Sequence, residues 1–184
     1  MARNTLSRSL HDVGLAAWFG GTLANAVALN PAAAAAGSDR STGAVANAGW
    51  DRWTPVNAAA IGAHLIGSVG QLVGNKSRVA GQSGVATMSV VKTGLTVGAL
   101  AATGYSRVLG KKVSDAGAVP AGSGTAPAAG TPSEVADAQR QLRLLQWAIP
   151  ALTGALVVVS AFAGEQQRET EVKTGVLKRF TPGA

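Results

Sequence analysis

From Val13 to Gly37 the chain carries no charged residue, and three later stretches come close to repeating that pattern. Thr54–Asn75 has no Asp, Glu, Lys or Arg. Val85–Gly110 has one internal charge, Lys92, before Arg107 at its far end. Leu144–Gly164 has none and is the most apolar of the four. About 20 apolar residues cross the hydrocarbon of a bilayer, so each stretch is long enough to do so. Two alternatives compete. A cleaved signal peptide has an apolar centre of about 7–15 residues; the first stretch is longer than that and carries Asp12 at its front. A soluble helical bundle needs large apolar anchors, and this chain has few.

Composition sharpens the choice. Charged residues are 14% of the chain, against about 25% in soluble domains. Ala and Gly dominate, with 24 Gly and only 3 Phe. Small residues let membrane helices approach closely, where packing rather than water exclusion holds them together. The expected fold is therefore all-α, a bundle of four transmembrane helices. The first three fall within 1–112, at about 13–36, 54–75 and 85–109. A low-complexity loop, 113–131, rich in Ala, Gly, Pro and Ser, reads as a flexible linker between helices three and four. A long fourth helix is expected over 132–168 and a polar tail over 169–184. "TPSE", Thr131 to Glu134, reads as a capping box at the start of helix four, and Pro150 as a kink within it. Pro55 suits the first turn of helix two.

The net charge of +7 comes without a dense Lys/Arg run and with an aromatic fraction of 4%. That favours lipid headgroups over nucleic acid as the partner of the basic residues. Trp50, Trp53 and Tyr105 stand at the ends of apolar stretches, where aromatic residues anchor to the membrane–water interface. Four crossings put both termini on one side. That side carries eight Lys and Arg and the other carries seven, so the positive-inside rule barely separates them. The reading adopted places the protein in a bacterial plasma membrane with cytoplasmic termini.

The absence of cysteine removes disulfides, thiolate metal sites and a Cys nucleophile. No GK[ST] phosphate loop, HExxH or G-x-S-x-G is present. A non-enzymatic protein with no cofactor is expected. It would be an accessory or scaffold subunit that meets lipid and either other membrane subunits or copies of itself. A small oligomeric transporter or channel and a metal- or haem-binding protein are the alternatives.

The polar residues within the apolar stretches are the candidate site. Counting along the helices puts His11, Asp12, Gln71 and Lys92 in one leaflet as a polar pocket. Ionisable groups at membrane depth are costly and mark ion or proton paths, although Lys92 can also snorkel to the headgroups. His11 and His64 are the potential metal ligands. Counting along each stretch puts His64 about 15 Å deeper than His11, which argues against one shared ion. Gly70-x-x-x-Gly74 and Gly94-x-x-x-Gly98 are small-xxx-small spacings for close helix packing, and Ala59, Ala63 and Gly67 continue the first of these faces.

The pattern His11-x-x-Gly14-x-x-x-Trp18-x-Gly20-Gly21 resembles the start of a span in the copper-resistance D membrane family. The four-span layout resembles uncharacterised small actinobacterial integral membrane proteins. The likeness implies a broad four-span class and makes His11 the position to test for metal. It does not carry copper transport over to this chain.

Overall fold

A computed structural model describes residues 4–76, 83–117 and 119–165. The fold is all-α, with four helices each long and apolar enough to cross a membrane. They are α1 (Thr5–Ala33), α2 (Asp39–Gly74), α3 (Ser83–Asp115) and α4 (Ser133–Glu165). A short hairpin, β1 (Ala121–Ser123) and β2 (Ala126–Pro127), lies between α3 and α4. The tail expected over 169–184, the last residues expected of helix four and Arg78 lie outside the described residues.

Each helix end has a local cause. α1 is α-helical over Thr5–Ala24, widens to a π turn over Asn25–Leu29 and closes with Asn30–Ala33. Pro31 has no N–H and crowds the carbonyl four residues before it; the wider turn ahead of it takes up that misfit. Gly37, at φ 85°, turns the chain. Ser38 then caps α2, its hydroxyl accepting from the Ser41 N–H at 3.2 Å. This cap starts α2 well before the expected residue 54, so Pro55 sits inside the helix rather than in its first turn. Pro150 also lies within its helix, as expected. At 1.5 Å per residue α2 is about 54 Å long, and hydrocarbon is about 30 Å thick. One end of α2 therefore extends past the apolar layer.

The segment read as a flexible linker is folded. Its first residues complete α3. The rest forms the antiparallel hairpin, with Ala121 opposite Pro127 and Ser123 opposite Ala126. Ala121 and Thr125 are buried. The carbonyl of Val119 lies against Gly43 of α2, and the Gly124 N–H donates to the Asn30 carbonyl at 3.2 Å. Thr131 does not cap α4: its hydroxyl donates to the Pro120 and Ala128 carbonyls and accepts from the Ala128 N–H. The Val135 and Ala136 N–H groups donate to the Pro132 carbonyl instead.

α1 packs chiefly on α2, and α3 on α4; α1 also meets α4, while α2 and α3 scarcely touch. One core cluster gathers Trp18, Ala60 and Ala99 with Ile61, Leu100 and Leu152. The other gathers Leu109, Val113, Val135 and Ala138 beneath the hairpin. Large apolar side chains line the outside, among them Leu6, Val13, Ile66, Val90, Val97 and Phe162. An outer surface of that kind suits lipid rather than water.

Candidate functional site

The site is built on the crossing of α1 and α2. A Cβ on Gly14 would lie 2.5 Å from the Ala60 carbonyl oxygen and from the His64 nitrogen. A Cβ on Gly67 would lie 2.3 Å from the His11 nitrogen and 2.5 Å from the Ser7 carbonyl oxygen. The two backbones are therefore in contact, and only glycine fits at either position. The contact is reciprocal. His11-Asp12-Val13-Gly14 on α1 and His64-Leu65-Ile66-Gly67 on α2 each place their glycine against the other helix's histidine.

This crossing brings the histidines side by side, with ring centres 4.5 Å apart and planes at 47°. Trp18 stands 6.1 Å from the His64 ring. The expected separation of about 15 Å in depth is therefore wrong. It placed His11 at the mouth of the first stretch, whereas α1 begins at Thr5 and carries His11 inside the helix. Depth in α2 falls as residue number rises, and the two residues come level.

Both rings are closely surrounded. His11 is 1% exposed and His64 0%. His11 Nδ1 lies 2.7 Å from Asp12 Oδ1, and His64 Nδ1 lies 3.4 Å from the His11 carbonyl oxygen. Both partners are acceptors, so each Nδ1 carries the proton and each Nε2 holds a lone pair. Both Nε2 atoms are buried without a hydrogen-bond partner among the described residues.

The polar pocket is assembled in part. His11 and Asp12 are bonded, and Lys92 on α3 lies within electrostatic reach of His11, His64 and Asp12. Gln71 hydrogen-bonds none of them, and its side-chain nitrogen is buried without a partner. Gly70 receives the Ser7 side chain and Gly74 that of Asn4, so this small-residue face meets α1. Gly98 approaches Leu152 at 3.9 Å, while Gly94 faces open space.

Trp50 and Trp53 both make contacts within the bundle. The Trp53 ring lies on Gly21. Trp50 Nε1 donates to Asn30 Oδ1 at 3.0 Å. Tyr105 is exposed and donates to Gln141 Oε1. Sequence reasoning missed Asn30 and Gln146. Asn30 Nδ2 donates to Gln146 Oε1 at 2.8 Å, and the Thr125 hydroxyl donates to the same oxygen at 3.3 Å. This network ties α1, α2, the hairpin and α4 around a cavity of about 290 Å³ lined by Trp53, Asn57, Thr103 and Arg107. A buried Asn near a helix-breaking Pro was its one visible signal.

Two imidazoles on one ion have ring centres about 6.2 Å apart when opposite each other and about 4.4 Å apart at a right angle, for metal–nitrogen bonds of about 2.0 Å. The observed 4.5 Å lies well short of the opposite arrangement and near the right-angle one. It does not fit two axial ligands of one haem, and the touching backbones leave no room for a porphyrin. Comparison of the chain with protein-family models, curated proteins and solved structures finds no match.

Proposed function

We propose that this chain is a non-enzymatic multi-pass protein of the bacterial plasma membrane, with cytoplasmic termini, that serves as an accessory or scaffold subunit of a larger membrane complex. One observation carries the reading. The glycines on the facing sides of α1 and α2 are filled by their own chain, but Gly94 of α3 is exposed and has nothing within 4 Å. In the most apolar stretch of α3 only 6% of residues are buried, against 33% for α1. Lipid gains little from a glycine. A second transmembrane helix gains close backbone approach. We take the occupant of the surface around Gly94 to be a membrane helix of another subunit.

Extraction in a mild detergent, followed by native mass measurement and identification of co-purifying chains, tests the reading. Stoichiometric foreign membrane subunits are the expected result. A species made only of this chain contradicts it and moves the assignment to a self-assembling transporter, for which flux in proteoliposomes with Lys92→Met is the next comparison.

A further inference from the structure

We infer that His11 and His64 form a two-imidazole site for a first-row divalent transition-metal ion, bound through both Nε2 atoms at the α1–α2 crossing. The inference is independent of the accessory reading and rests on four observations.

The first is proximity: the ring centres are 4.5 Å apart, within the span of two imidazoles on one ion. The second is unused bonding capacity. Buried polar atoms are nearly always bonded, and exceptions call for an explanation such as a bound ion. Here two such atoms of the same kind lie on adjacent rings. The third is orientation. Metal-binding histidines almost always donate their second N–H to a carboxylate or a backbone carbonyl, which fixes the tautomer and raises basicity. His11 has the carboxylate of Asp12 and His64 the carbonyl of His11. The fourth is rigidity. Gly14 and Gly67 lock the backbones that carry the rings, so the pair is held in place before an ion arrives.

The chemistry narrows the ion. Neutral imidazole suits Zn²⁺, Ni²⁺ and their neighbours and does not suit Ca²⁺ or Mg²⁺, which take oxygen ligands. The nearby charges act in opposite directions on a bound cation. Asp12 favours it, while Lys92 and Arg8 oppose it.

The test uses full-length, tag-free protein in detergent, stripped with chelator, loaded separately with Zn²⁺ or Ni²⁺, desalted and measured by elemental analysis. Wild type is expected to hold about one ion per chain. His11→Gln and His64→Gln should each hold less than about a tenth of that. Asp12→Asn changes a mostly exposed carboxylate and should bind about 10–100-fold more weakly. Lys92→Met should bind more tightly than wild type, an effect that a purely packing role for the histidines would not produce. Less than a tenth of an ion per wild-type chain with both metals overturns the proposal. So does an ion content unchanged in the His11→Gln/His64→Gln double variant. If the glutamine variants do not elute as folded protein, Asp12→Asn decides: affinity equal to wild type overturns the site, and the stated weakening supports it.

Discussion

The two helix pairs of this bundle use their small residues in opposite ways. In α1 and α2, Gly14, Gly21, Gly67, Gly70 and Gly74 are each occupied by an atom of the opposing helix. In α3 and α4, Gly84, Gly94 and Gly164 have nothing within 4 Å, Gly104 and Gly110 border the cavity, and only Gly98 and Gly154 meet side chains of other helices. The first pair is locked along its own crossing and buries two histidines there, while Trp18 is covered jointly by α2, α3 and α4. The second is held mainly by aliphatic side chains near the hairpin and leaves most of α3 uncovered. A glycine-rich membrane helix thus conveys little by composition alone. What its glycines meet separates a helix that is already paired from one that awaits a partner.

Five substitutions test this contrast, each read as a change in unfolding free energy or thermal midpoint in detergent. The largest effect is expected at Trp18, which is fully buried and donates from Nε1 to Thr103 Oγ1 at 3.3 Å. Trp18→Ala removes the centre of one core cluster and should cost about 3–5 kcal/mol. Gly14→Ala and Gly67→Ala come next. A methyl group at either position meets backbone, which cannot swing aside, and each should cost about 1–3 kcal/mol. Asn30→Ala leaves the Trp50 N–H without its partner and removes the donor to Gln146; a loss of about 1–2 kcal/mol is expected. Gly94→Ala should change stability by less than about 0.5 kcal/mol and still weaken association with a partner helix. Equal costs at Gly14 and Gly94 would remove the contrast.

The four helices were legible because long charge-free stretches and small-residue bias are properties of whole segments. Helix limits were less so. Ser38 as a cap and the tolerance of Pro55 within α2 depend on where neighbouring helices stand. The hairpin was hidden because Ala, Gly and Pro cannot build a core but can fill a crevice beside one, as Ala121 does. At the site, His11 and His64 were named individually, but their pairing was lost to a depth count that began the first helix near Val13 and left His11 at its mouth. The repeated His-x-x-Gly, at His11–Gly14 and His64–Gly67, was the available signal. Two copies of a spacing become a contact only when the helices carrying them run in opposite directions.

The central claim is that α1 and α2 are complete in themselves while α3 meets another subunit. The chain has no cysteine, so a single substitution gives a unique thiol. Gly94→Cys, treated in native membranes with a short thiol-to-amine crosslinker and identified by mass spectrometry, tests that claim directly. The account predicts a crosslink to one foreign membrane chain, and no such product from Gly67→Cys at the closed crossing. A product joining only two copies of this chain, or none from Gly94→Cys, would contradict it.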